Sequence, residues 1–71
     1  MSGYIEFDID LGQEIYTEIY DLTGRMVFSK SQNYAAGEII INLCLDNLNK
    51  GMYVLKLRGE SFSKQQKIIV N

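Results

Sequence analysis

Apolar and polar residues alternate along most of this chain, and short polar or glycine-containing clusters interrupt the alternation. In residues 4–11, for example, Ile5, Phe7, Ile9 and Leu11 would share one face, with Tyr4 and acidic residues on the other. A period of two is typical of a half-buried β-strand. The pattern predicts six strands, at residues 4–11, 14–20, 25–30, 38–45, 52–58 and 62–70.

The connections between these strands are predicted turns, including Gly12-Gln13 and the polar segment 31–37. The predicted inward residues of the second, fourth and fifth strands are Ile15, Thr17, Ile19, Ile39, Ile41, Leu43, Leu45, Tyr53, Leu55 and Leu57. No segment has a sustained period of 3.6 residues, so no helix is expected. We therefore predict an all-β, immunoglobulin-like antiparallel sandwich of six to seven short strands.

Two local motifs refine this prediction. The segment from Asp21 to Gly24 is typical of a tight turn, since aspartate can bond its own backbone and glycine tolerates positive φ. Leu48, Gly51 and Tyr53 precede or begin the fifth strand after a crossing loop. This spacing fits a tyrosine corner, in which the hydroxyl bonds backbone slightly upstream. It equally fits a core tyrosine whose hydroxyl reaches water.

The residue types present exclude several kinds of chemistry. The 71 residues suffice for one domain, which we place at residues 4–71 after a short start, Met1-Ser2-Gly3. Histidine is absent and Cys44 is the single cysteine, which excludes an intramolecular disulfide and disfavours a zinc site. Histidine-based catalysis is also excluded. We predict no enzymatic activity and no cofactor, and a structural role for the Cys44 thiol.

Charge gives a weaker indication of partners. The net charge of −2 predicts no general attraction to nucleic acid. Residues 1–38 contain seven acids and two bases, whereas residues 39–71 contain two acids and five bases. Glu6, Asp8 and Asp10 could bind calcium, although a solvated acidic face is the favoured interpretation. The bases of the last two strands form either a recognition patch or a solvated edge; they are Lys56, Arg58, Lys64 and Lys67.

The chain contains no apolar run of the roughly 20 residues that a membrane-spanning helix needs. Its first residues also lack the pattern of a signal peptide. If the protein is exported, its address is therefore expected in a longer parent chain or in the fold itself.

Three segments of the chain stand out together: Ile19-Tyr-Asp-Leu-Thr-Gly-Arg-Met-Val27, Leu45-Asp-Asn-Leu-Asn-Lys-Gly-Met-Tyr-Val-Leu-Lys-Leu57 and Lys67-Ile-Ile-Val-Asn71. Together they resemble the C-terminal sorting domain of the type IX secretion system. Each segment alone is unspecific, but their order and spacing cover nearly the whole chain.

The resemblance implies an immunoglobulin-type sandwich that ends a secreted protein. Such a domain follows a passenger through the periplasm and is read by the outer-membrane export machinery. A sortase-like peptidase then removes it and joins the passenger to a glycolipid, so the location is extracellular or the cell surface. The implied recognition segment is Lys67, Ile68, Ile69 and Val70; the residues that hold the shape are Asp21, Gly24, Leu48, Gly51 and Tyr53.

One departure from the family pattern has a structural consequence. Family members usually begin with a strand that carries a Pro-Asn-Pro-like segment, and this chain has no proline. The first strand is therefore expected to be missing, and the exposed sheet edge invites a strand-swapped dimer.

Two other functions remain open from the sequence. Tyr16 and Tyr20 share a strand face, and Tyr4 could lie on the same sheet. Such a row could serve an accessory carbohydrate-binding or adhesion module, although cross-strand packing is the favoured interpretation. The third alternative is a structural spacer beside another domain.

Overall fold

The computed structural model describes residues 2–71, except for the side chains of Ser2 and Cys44. The predicted place of the Cys44 thiol thus lies outside the described part of the chain. The six strands are β1 (Ser2–Ile9), β2 (Gln13–Tyr20), β3 (Met26–Tyr34), β4 (Gly37–Cys44), β5 (Gly51–Arg58) and β6 (Ser63–Val70). No helix long and apolar enough to cross a membrane occurs among the described residues.

The strands form two antiparallel sheets, which confirms the predicted all-β sandwich. One sheet contains β1 and β4, and the other has the order β3-β2-β5-β6. The β2–β3 and β5–β6 pairs are local hairpins, whereas β1 pairs with β4 across the intervening 27 residues from 10 to 36. The link at residues 10–12 therefore carries the chain from the small sheet to the large one.

The core lies between the small sheet and the two central strands of the large sheet. Ile15, Thr17 and Ile19 from β2 are buried, as predicted, and so are Tyr53 and Leu55 from β5. The small sheet contributes buried side chains from both of its strands and from the residue after β4: Ile9, Ile39, Ile41, Leu43 and Leu45. The period of two thus identifies the core correctly where both sheets overlap.

The outer strands of the large sheet extend beyond the small sheet. Two strands cannot cover four, because strands within a sheet are spaced evenly at about 4.8 Å. Phe28, Tyr34, Ile68 and Val70 still pack against the core near the strand ends, but the other inward positions are polar. In β3 they are Lys30 and Gln32, opposite Thr17 and Ile15; in β6 they are Lys64 and Gln66, opposite Leu57 and Leu55. We call these two uncovered strands the overhangs.

This geometry explains where the strand boundaries differ from the predictions. The polar segment 31–37 was expected to be a turn, but β3 continues to Tyr34 and pairs along all of β2. Its polar residues fit an edge strand whose inner face is open to water. Leu11 is not part of β1 and is 68% exposed. β1 begins at Ser2, two residues before the predicted start of the domain.

Candidate recognition surface

The turn between β2 and β3 is organised by one carboxylate. Asp21 Oδ1 accepts hydrogen bonds from Thr23 Oγ1 (2.6 Å), Thr23 N (3.0 Å) and Arg25 N (3.0 Å). These hydrogen bonds lower the pKa of Asp21 below its ordinary value. The largest contribution comes from the Thr23 hydroxyl and the next largest from the Arg25 backbone N–H. Gly24 has a φ of 91°, which residues with a Cβ rarely adopt. The sequence Asp-Leu-Thr-Gly thus fixes a rigid hairpin turn.

The loop before β5 is fixed by the tyrosine at the start of that strand. The Tyr53 hydroxyl donates to the carbonyl of Asn49, four residues upstream, at 2.7 Å. This is the hydrogen bond that the tyrosine-corner alternative predicts. Leu48 is half-buried against the core, and Gly51 has a φ of 151°. These three residues therefore hold the crossing loop at residues 45–50.

The terminal strand divides into displayed and packed side chains. Val70 is buried beside Gly51, and Ile68 packs against the core beside Tyr53. Lys67 and Ile69 alternate with them, lie on the outer face and are exposed; Ile69 is 64% exposed. Of the four residues in the implied recognition segment, two are thus available to a partner and two support the fold.

All three segments meet at the same end of the sandwich, which we call the motif end. β2 ends at its turn here, β5 begins at Gly51, and Val70 pairs with Gly51. A polar hollow of about 440 Å³ separates the first two segments. The first segment contributes Asp21, Arg25, Met26 and Val27, and the second contributes Asn47, Leu48, Asn49 and Tyr53. Residues some 25 positions apart in sequence therefore line one depression.

The motif end also carries exposed apolar side chains. Across the outer face, Met26 lies opposite Tyr20, Tyr20 opposite Val54, and Met52 opposite Ile69. Met26, Met52 and Ile69 are 44%, 42% and 64% exposed. Contiguous exposed apolar surface commonly marks an interaction site. We call Met52, Ile69 and the neighbouring Lys67 the terminal patch.

Comparison of the sequence with known protein families identifies the family of this chain. Residues 2–71 match the family model described as the secretion system C-terminal sorting domain. The chain belongs to the type IX secretion C-terminal sorting domain family. Membership indicates a sorting signal for export to the cell surface or outside the cell. No curated protein matches the chain.

The basic residues of the sorting domain do not form a single patch. Lys56 and Arg58 point outward from β5, on the same face as Lys67, whereas Lys64 points inward and lies over the Phe7 ring. The Lys64 ammonium is 5.2 Å from the ring centroid. Of the predicted patch, three side chains therefore share the outer face of the large sheet.

The tyrosine rings of the alternative carbohydrate site already contact cationic side chains of the same sheet. Lys56 lies 4.8 Å from the Tyr20 ring centroid, and Arg58 lies 4.9 Å from that of Tyr16. These cations each cover a ring face on which a sugar would stack. The prediction that Tyr4 could share this sheet is wrong, because Tyr4 belongs to β1 in the small sheet. The geometry gives the sugar-binding alternative no support.

The acidic residues of β1 form no visible metal site. Asp8 lies opposite Glu38, and Glu6 lies opposite Ile40. The part of the chain that the structure describes contains no cluster of three or more metal-ligating side chains.

One important residue was missed by sequence reasoning. Gln13, expected in a turn, is 7% exposed and links two loops distant in sequence. Its Oε1 accepts from Glu60 N (2.7 Å) and Ser61 N (3.2 Å), and its Nε2 donates to Leu11 O (2.9 Å). A polar residue next to a glycine gives no signal for such a role. Gln13 closes the end of the sandwich opposite the motif end.

Proposed function

We propose that this sorting domain is read by the type IX export machinery through the terminal patch and acts by binding, not catalysis. The match of the family over residues 2–71 carries the proposal. The terminal patch supports it, because Ile69 is exposed although its neighbours Ile68 and Val70 are packed. Met52 lies opposite Ile69 and is also exposed, and neighbouring exposed apolar side chains commonly mark an interaction site.

The remaining residues of the motifs then serve to present this patch. Asp21 and Gly24 fix the turn beside it, and Tyr53 and Gly51 fix the start of the strand that pairs with it. Rigid presentation reduces the entropy lost on binding. On this proposal the machinery reads a folded surface and not an unfolded tail.

The proposed route follows from the family role. The parent protein would reach the periplasm, and the export machinery would bind the domain there. A sortase-like peptidase would then release the passenger at the cell surface. The strand-swapped dimer remains a prediction in this scheme.

An export assay tests the proposal. Residues 1–71, with the family's missing first strand restored upstream, are fused behind a periplasm-targeted fluorescent reporter in a host with this export system, and reporter in the medium and on the cells is measured. Because Lys67→Glu and Ile69→Ser alter only outward side chains, the double variant should fold normally but lose export. Circular dichroism of the purified domain checks the fold.

The matched control is Ile40→Ser, which removes an isoleucine that is 50% exposed on the outer face of the small sheet. It should be exported like the unaltered fusion. Equal export of the terminal-patch variant and this control would refute recognition through the patch. Retention of the unaltered fusion in the periplasm would refute the sorting role itself.

A further inference from the structure

The outer face of β5 and β6 carries bases but no acids among its described residues. Its outward positions are Met52, Val54, Lys56 and Arg58 on β5 and Ser63, Gln65, Lys67 and Ile69 on β6. Lys67 is exposed, lies opposite Val54 and diagonal to Met52, and shares its face with Ile69. The exposed apolar side chains of the terminal patch therefore lie beside an ammonium group that has no acid among the outward residues of its own strand pair.

Charge is also separated along the length of the strands. The end opposite the motif end, which we call the acidic end, has five acids and two bases: Asp8, Asp10, Glu14, Glu38, Glu60, Arg58 and Lys64. The motif end has three bases and two acids: Arg25, Lys50, Lys67, Asp21 and Asp46. Of these acids, Asp21 is already bonded within its own turn. The domain therefore presents positive charge at the motif end and negative charge at the acidic end.

The exposure of the terminal patch does not depend on the family's first strand. An added strand joins a sheet at its edge through backbone groups and leaves the side-chain faces of the existing strands open. Met52 and Ile69 lie on the face that points away from the small sheet, and they are 42% and 64% exposed. This face is therefore available to a partner with or without a further strand.

We propose that the terminal patch docks on a protein surface of the export machinery that has an apolar centre and an acidic rim. Met52 and Ile69 enter the apolar centre, Lys67 meets a carboxylate at the rim, and the acidic end points away. Complementary charge accelerates the encounter, and like charge disfavours reversed docking. The assignment of the partner to the export machinery rests on the proposed function. The chemistry of its surface follows from the charge and exposure of the patch.

Two other occupants fit the patch less well. Anionic membranes are typically recognised by clusters of about four to eight bases. Near the patch the outward bases are Lys67 and Lys56, and Lys56 already lies over the Tyr20 ring. A second copy related by a two-fold axis brings the same patch of both copies together, so that two Lys67 ammonium groups share one interface. A protein with an acidic rim meets neither difficulty.

A binding experiment tests the chemistry of the partner surface. The domain, with the same upstream strand as the export fusion, carries a fluorophore at its N-terminus and is mixed with outer-membrane fractions from host cells with and without the export system. We expect binding to the first fraction alone. Lys67→Glu should weaken it about fivefold, because attraction at the rim becomes repulsion. Lys67→Arg keeps the charge and should bind like the unaltered domain.

Lys64→Glu is the matched control, because it makes the same change in net charge on the inward side of the same strand. It should change binding by less than about twofold. Raising NaCl from about 50 to about 300 mM should weaken binding of the unaltered domain more than that of Lys67→Glu, since the screened attraction is absent from the variant.

Equal binding of Lys67→Glu and Lys64→Glu would overturn the acidic rim. Binding of the unaltered domain to both membrane fractions, or to neither, would overturn a protein of the export machinery as the occupant. Sedimentation velocity should show a monomer, and self-association that Lys67→Glu abolishes would overturn the proposal in favour of a second copy.

The export assay separates this inference from the proposed function. Ile69→Ser and Lys67→Glu, made singly, should each reduce secretion. A defect in Ile69→Ser alone would overturn the acidic rim and leave recognition through the patch intact. Retention of the unaltered fusion in the periplasm would instead contradict the proposed function.

Discussion

The hydroxyl of Tyr53 offers a direct test of how the motif end is held. Tyr53→Phe removes one oxygen and leaves the ring, which is 8% exposed, in place. The variant therefore loses the 2.7 Å bond to the Asn49 carbonyl without creating a cavity. A typical intramolecular hydrogen bond contributes about 1 kcal/mol. Asn49 itself is exposed, so water can solvate the freed carbonyl, and we expect no more than about 1 kcal/mol.

That loss is large for so small a domain. A core of this size gives roughly 3–5 kcal/mol of net stability, so Tyr53→Phe removes a substantial fraction. We expect Tm to fall by about 4–8 °C. In urea, the midpoint should fall while the slope of the free energy of unfolding against urea stays constant. Far-UV circular dichroism follows unfolding without relying on the altered tyrosine.

Tyr4→Phe is the matched control, because Tyr4 is 65% exposed on the small sheet. Its free energy of unfolding should change by less than about 0.5 kcal/mol. The reasoning is refuted if both variants lower stability equally, or if Tyr53→Phe has no measurable effect. Either result would mean that the hydroxyl bond contributes no more than a contact with water.

Three further variants test other parts of the structure. Asp21→Asn should lower stability at pH 7, but the difference from the unaltered domain should vanish in acid. The pKa of Asp21 is lowered in the folded state, so its contribution is present above the ordinary aspartate pKa and is lost as pH falls through the folded value. Urea unfolding at pH 7 and near pH 2 checks this sign, and a constant difference would contradict it. Gln13→Leu removes the acceptor of the Glu60 and Ser61 N–H groups. Both residues are exposed, so water can solvate these groups, and the loss of the two hydrogen bonds should cost about 1–2 kcal/mol in thermal unfolding. Gln65→Leu, on the exposed outer face, should change stability little, and similar losses in both variants would show that the Gln13 bonds are not responsible. Gln32→Val places an apolar residue on the β3 overhang. It should leave stability within about 0.5 kcal/mol but increase self-association in light scattering, and an unchanged particle size would count against the overhang as edge protection.

The sequence predicted the fold well wherever a strand has one solvent-exposed face and one buried face. β2, β4 and β5 alternate cleanly, and their inward residues are the buried ones. The extents of β3 and β6 were harder to predict because their inner faces are partly exposed to solvent. Lys30 and Gln32 interrupt the apolar period in β3, and Lys64 and Gln66 interrupt it in β6. The hydrophobic ends of β6 revealed that strand, whereas the polar second half of β3 concealed its extent.

The candidate site was predictable in its parts but not in its assembly. Asp21, Gly24, Gly51 and Tyr53 have local signatures, since turns and corners depend on neighbouring residues. Their convergence at one end depends on strand order, which the hydrophobic period does not encode. The division of the terminal segment into displayed Lys67 and Ile69 and packed Ile68 and Val70 required the register with β5. Gln13 had no signature because its partners lie 47 and 48 positions away.

The small sheet has a consequence for how the domain opens. β1 and β4 form backbone ladder bonds with each other, and within the described residues no ladder joins them to the large sheet. Side-chain contacts alone hold the two layers together, and a lone pair of strands is marginally stable in water. The layers therefore define separate cooperative units, and the small one should detach at a lower free energy than global unfolding requires. Amide hydrogen exchange would reveal it as faster exchange throughout β1 and β4 than in β2 and β5; uniform protection of all four strands would exclude such partial opening.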